Sequence, residues 1–192
     1  MVRFSKAGIV AMGSVAIIVA TATFAGAQST LAKGYIINNS GDTLKGLIKY
    51  NPKNDKGLFE SVSFQANDNE KKAYHANKLK EFSVDGSTFV SRKIDDKQVF
   101  IKRLSAGAIN LYQYKTEELI MNSIHTYIDY YMEKPGSAEL VKIKESKFKK
   151  QISELMSDDK NLIKEVEEKK YDYGKIVELF EQYNKNKEGT KG

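Results

Sequence analysis

Residues 126–156 read TYIDYYMEKPGSAELVKIKESKFKKQISELM, and the hydrophobic period changes inside this stretch. Up to Glu133 the residues alternate, with Ile128, Tyr130 and Met132 set against Tyr127, Asp129 and Tyr131, the two-residue period of a strand. Pro135-Gly136 turns the chain and Glu139–Ile143 returns, which reads as a hairpin. From Phe148 onward the apolar positions are Phe148, Ile152, Leu155 and Met156, one face of a helix. The change of period predicts an α+β protein. Its antiparallel β-rich body, a curled sheet, roll or open barrel, spans about residues 33–143. A helical tail packed on that body spans residues 144–184.

Working outward toward the C-terminus, the tail divides into about three short α-helices. Ser157 or Asp158 is placed to cap a second helix carrying Leu162, Ile163 and Val166. Asp172 is placed to cap a third carrying Ile176, Leu179, Phe180 and Tyr183. Each is too short to be stable alone, so each must pack on its neighbours or on the sheet. The polar, Gly-bearing end, residues 185–192, reads as disordered.

Toward the N-terminus the signals are of strands and turns. Tyr35-Ile36-Ile37, the turn cluster Asn38–Asp42 and Thr43–Tyr50 form a hairpin pattern. Ser61–Gln65 and, more weakly, Lys72–His75 follow, and Asn77–Glu81 is compatible with a single turn. Asp85-Gly86 joins Phe82–Val84 to Thr88–Lys93 in a second hairpin, and Asp95-Asp96-Lys97 turns into Val99–Leu104. Ser105-Ala106-Gly107 reads as a bulge or bend before Ala108–Tyr114 continues the strand. Glu117–Ser123 is ambiguous, because Leu119, Ile120 and Ile124 have helical spacing.

The first 27 residues are of another kind. Arg3 and Lys6 precede a stretch, Ala7–Phe24, without any charge. Ala25-Gly26-Ala27 then offers a small-x-small cleavage pattern before Gln28. These are the three parts of a secretory signal peptide, with cleavage between Ala27 and Gln28. The alternative is a retained leader that tethers the protein to a membrane, since eighteen uncharged residues could just span one. The leader carries two of the 31 basic residues and none of the 25 acidic ones, which leaves +4 for residues 28–192. That surplus is too small and too interspersed to mark a nucleic-acid binder. Zero cysteine excludes disulfides, thiolate metal sites, a cysteine nucleophile and a lipid anchor on Cys.

Motifs for chemistry are sparse. No GxxxxGK[ST] or GxGxxG phosphate loop occurs, no HExxH and no GxSxG. The two histidines, His75 and His125, lie fifty residues apart and suggest no metal site. Asp95-Asp96 and Asp158-Asp159 read as a turn and a helix start. Five lysines in Lys142–Lys150, interrupted by Glu145, read as a solvated helix face rather than a site for anionic lipid. Neither a metal nor a cofactor is expected. The most suggestive residues are tyrosines. Tyr112, Tyr114, Tyr127, Tyr130 and Tyr131 are candidates to line a groove for a glycan or peptide, because each ring has a flat apolar body and a polar tip. The simpler reading is that Tyr favours strands.

Four segments carry a resemblance: the opening hairpin Gly34–Ile48, Leu79-Lys80-Glu81-Phe82 before a Gly turn, Val99–Tyr114, and the tail from Lys170-Tyr171-Asp172-Tyr173 to Tyr183-Asn184. In these the chain resembles an uncharacterised family of exported proteins common in Bacteroidota. The resemblance implies export and a β-rich body with a helical tail, and brings no activity with it. The expectation is therefore a non-enzymatic binding or structural module of the cell envelope, periplasmic or secreted, with an envelope glycan or protein as partner. It would meet a membrane only through the leader before cleavage. The alternative is an envelope hydrolase using His75 or His125 with nearby carboxylates.

Overall fold

The structure is a computed structural model, and residues 29–66, 70–137 and 139–189 are described. The predicted cleavage residues Ala25, Ala27 and Gln28 lie outside them. Ten strands form one antiparallel sheet: β1 (Thr30–Asn38), β2 (Thr43–Tyr50), β3 (Ser61–Gln65), β4 (Lys72–His75), β5 (Leu79–Val84), β6 (Ser87–Ile94), β7 (Lys97–Ser105), β8 (Asn110–Ile120), β9 (Ser123–Glu133) and β10 (Val141–Ile143). Their order is β10-β9-β8-β7-β6-β5-β1-β2-β3-β4. Two meanders thus join where β1 pairs with β5. The α+β expectation holds, and the sheet is open rather than a closed barrel.

The connection from β4 to β5 requires the sheet to curl. The two strands are four positions apart, about 19 Å across a flat sheet. Only the 3-10 turn Ala76–Lys78 links them, and a chain from residue 75 to residue 79 reaches about 15 Å at most. The curl is helped by Gly34 and Gly46, which face each other across β1 and β2. A Cβ on Gly34 would lie 2.2 Å from the Ser83 carbonyl oxygen, and one on Gly46 would lie 2.3 Å from that of Gln65. Inside the roll Phe82 stacks on Phe89 at 4.8 Å between ring centroids, and Phe100 and Phe59 meet this pair edge-on. Ile36, Ile48, Val62 and Phe64 complete that core.

The tail has the three predicted helices, α1 (Phe148–Leu155), α2 (Lys160–Glu167) and α3 (Ile176–Glu188). Their apolar faces, with Phe148, Ile152, Leu162, Val166, Leu179 and Phe180, pack against Ile109, Leu111 and Ile143 of the sheet end. The cap of α2 is Asp159, whose carboxylate accepts from the Leu162 N–H at 3.0 Å, and not Ser157 or Asp158. Asp158 instead accepts from the Tyr183 hydroxyl at 3.0 Å and forms an ion pair with Lys187 at 2.8 Å. That contact extends α3 to Glu188, past the boundary expected at residue 184. Residues 190–192 of the expected disordered end lie outside the described residues. Asp172 caps the 3-10 turn that leads into α3.

Two other expectations are corrected. Val99–Tyr114 is not one strand with a bulge. It folds back at residues 106–109, so β7 and β8 pair antiparallel, with the register shift between Arg103 and Ser105. The cause is Asn184 of α3, a polar residue at the expected edge of the helical tail yet only 4% exposed. Its amide accepts from the Ile109 N–H at 3.0 Å and donates to the Ile109 carbonyl and the Ser105 hydroxyl, both at 2.9 Å. Gly107, with φ of 158°, lets the turn pass the Asn184 side chain, where a Cβ would come within 2.6 Å. The ambiguous Glu117–Ser123 is strand, turn and strand, not helix.

Candidate interaction arm

The strands β8 and β9 pair residue by residue from Asn110↔Glu133 to Ile120↔Ser123. Their outer neighbours stop short. β7 pairs with β8 only as far as Gln113, and β10 pairs with β9 only over Tyr130–Met132. Among the described residues, 114–120 and 123–129 therefore pair only with each other and form a two-stranded arm. Seven residues of strand reach about 23 Å.

The base of the arm is fastened. Lys115 and Lys102 both reach Asp55 in the β2–β3 loop, at 2.7 and 3.4 Å. Tyr114 packs edge-on against Phe59 of the same loop. Burial alone would raise the Asp55 carboxyl, but the two ammonium groups outweigh it and hold it below the ordinary carboxylate range.

Beyond the base nothing among the described residues covers the arm. Every residue from Glu118 to Ile128 is exposed. Leu119 (73% exposed) faces Ile124 (70%) across the strands, and Met121 (95%) forms the apex. Ile120, Tyr127 and Ile128 are also exposed. Fully burying one Leu, Ile or Met side chain is worth about 1.5–3 kcal/mol, so this tip forgoes a gain that folding inward would bring. Exposed apolar side chains gathered on one element are a feature that interaction surfaces share.

The turn has the same character. Met121 and Asn122 both have positive φ, 48° and 65°, as a two-residue hairpin turn of the right twist demands. Asn tolerates that conformation, whereas an unbranched apolar side chain is strained there by about 1 kcal/mol. The chain thus places methionine at an almost fully exposed position, where its own turn would prefer Asn, Asp or Gly. Glu117 and Glu118 stand just behind the tip, and neither forms an ion pair among the described residues.

The five tyrosines proposed to line a groove do not converge. Tyr112 is fully buried and Tyr131 is 6% exposed, in a small cluster with Val90 and Ile101. The Tyr112 hydroxyl donates to Glu133 at 2.8 Å, and Arg92 donates two bonds to the same carboxylate, at 2.9 and 2.8 Å. Burial opposes ionisation of Glu133, but these donors prevail and hold its carboxyl low. Burial, with Asp129 adding to it, pushes the Tyr131 hydroxyl up to about 12. Tyr130 points to the opposite side and packs edge-on against Tyr173 of the helical tail. Tyr114 serves the arm's base, and Tyr127 alone is exposed, on the arm itself. Strand residues of alternating parity on a twisted sheet were sent to separate cores, so the groove is not formed.

His75 ends β4 and His125 lies on the arm, and both are exposed. His125 sits opposite Glu118 in the register, yet neither imidazole hydrogen-bonds a carboxylate or hydroxyl among the described residues. The acid–base pairing required by the hydrolase alternative is therefore not assembled. Among the described residues no cluster of three or more metal-ligating side chains occurs, and no helix is long and apolar enough to cross a membrane.

No family model, no curated protein and no solved structure matches this chain.

Proposed function

We propose that this protein is an exported binding module of the cell envelope, non-enzymatic, and that it engages its partner through the tip of the β8–β9 arm. The leader sequence supports export: a basic start, an uncharged middle and Ala25-Gly26-Ala27 before Gln28. The observation that carries the binding role is the row of exposed apolar side chains, Leu119, Met121 and Ile124, on an element with no cover. The rest of the molecule is built to hold that element. The Phe-rich roll and the helices each bury an apolar cluster of their own, and Asp55 pins the arm's base.

Two measurements test the reading. Intact mass of the protein recovered from the envelope or medium is expected to begin at Gln28, and a mass retaining residues 1–27 would favour the tethered alternative. A photo-reactive residue at position 121 is expected to give discrete crosslinked adducts in cells, with none from position 93, an exposed turn-flanking site on β6. Equal labelling at the two positions would remove the arm as the contact element.

A further inference from the structure

The molecule carries a surface that complements its own arm. Where α1 begins and α2 gives way to α3, a concavity of about 480 Å³ is lined by Phe148, Tyr171 and Tyr173, with Lys147, Lys149, Lys150 and Lys169 around it. That volume lies within the range of ligand-binding pockets. Its floor is apolar and aromatic. Two acidic residues, Glu145 and Asp172, are outnumbered by the four lysines; Asp172 is engaged in its cap, and Lys150 also meets Glu154 at 3.9 Å. The arm presents the converse: an apolar tip of Leu119, Met121 and Ile124 backed by Glu117 and Glu118. Charge complementarity of this kind fixes register and suppresses wrong partners.

We propose that the occupant of this concavity is the β8–β9 arm of a second copy of the same chain. The inference rests on the reading of the arm as the contact element and names its partner. A tip that enters a pocket elsewhere on an identical molecule makes a head-to-tail contact, which either closes by reciprocal exchange or propagates. A lipid surface is the competing apolar phase, and the charges argue against it. Hairpins and helices that enter anionic bilayers are flanked by Lys and Arg. Here carboxylates stand behind the tip, and the arm's own lysine, Lys115, is occupied by Asp55.

Sedimentation velocity of the purified protein from micromolar to several hundred micromolar, at low and high salt, tests the assembly. Association that grows with concentration and weakens at high salt is expected. Met121→Asp on the tip and Lys149→Glu with Lys150→Glu at the pocket should each weaken it at least tenfold. Joining the reversed pocket to Glu117→Lys and Glu118→Lys in one chain should restore it, which a merely misfolded variant could not do. A wild-type protein that stays monomeric throughout, or a Met121→Asp variant that associates like wild type, would overturn the proposal. So would a monomer that binds phosphatidylglycerol vesicles through its tip. Crosslinks from position 121 that map only to another protein would overturn self-association and leave the arm's binding role standing. Absence of crosslinks from position 121 would remove both.

Discussion

The hairpins β5–β6 and β8–β9 share one sheet and one kind of turn, yet they end in opposite surroundings. Asp85-Gly86 and Met121-Asn122 both have two residues at positive φ. At the first hairpin Phe82 faces Phe89 across the strands, and both rings are fully buried in the roll. At the second, Leu119 faces Ile124 and both are exposed. The local rules of pairing and turn geometry are obeyed equally. What differs is cover. The curl forced by the short β4–β5 link closes over β5–β6, whereas β8 parts from β7 beyond Gln113, β7 staying with β6, and β10 ends opposite Tyr130. An apolar cross-strand pair is therefore core in one place and exposed surface in the other.

Several substitutions can break or sharpen this contrast. The largest effect is expected from Phe89→Ala, which empties the centre of the aromatic cluster and should cost about 3–5 kcal/mol in urea denaturation. A loss below about 1 kcal/mol would mean that the roll is loosely packed. Asn184→Ala should follow, at about 2–3 kcal/mol, because it strips the Ile109 N–H and carbonyl of their buried partner. Amide exchange at Ile109 should rise in that variant; unchanged protection would mean that α3 does not set the β7–β8 turn.

Acid should act on the fastenings. The carboxyls of Asp55 and Glu133 both lie below their ordinary values. Their stabilising contribution is therefore full above the ordinary carboxylate range and is lost as pH falls through it toward the depressed folded values. Stability measured against pH should drop in that window, and the drop should shrink in the Asp55→Asn, Glu133→Gln double variant. An unchanged drop would place the acid sensitivity elsewhere. The smallest of these effects is a gain. Met121→Asn should raise stability by about 1 kcal/mol by relieving the left-handed strain at the apex. A loss instead would show that the methionine serves the fold.

Much of this architecture could be read from residue order. Strands β2, β3 and β4 match their predicted bounds, because turn clusters such as Asn38–Asp42 and Asn51–Gly57 fence them. The helical faces of α1 to α3 follow from the 3.6-residue spacing. The failures share one physical origin. Asn184 is polar and near the end, and only its meeting with Gly107 and Ile109 makes it a core residue. Val99–Tyr114 carries a strand composition on both sides of Ser105-Ala106-Gly107, and composition alone does not separate a bulge from a reversal. Tyr112 and Tyr131 have the same aromatic character as Tyr127, but whether a ring is covered depends on strands distant in sequence. The arm left one local sign. Leu119-Ile120-Met121 is an apolar run that breaks the alternation of β8 just before Asn122, as neither a half-buried strand nor a polar turn requires.

The central claim is that the arm's apolar tip contributes nothing to the fold and is there to be covered by something else. Urea denaturation of a variant with Leu119→Thr, Met121→Gln and Ile124→Thr together, which removes the apolar side chains without placing like charges opposite each other, tests it most directly. A stability within about 0.5 kcal/mol of wild type is predicted, as for exposed positions generally. A loss of several kcal/mol, comparable to that of Phe89→Ala, would show that the tip belongs to the core and would contradict its role as a contact surface.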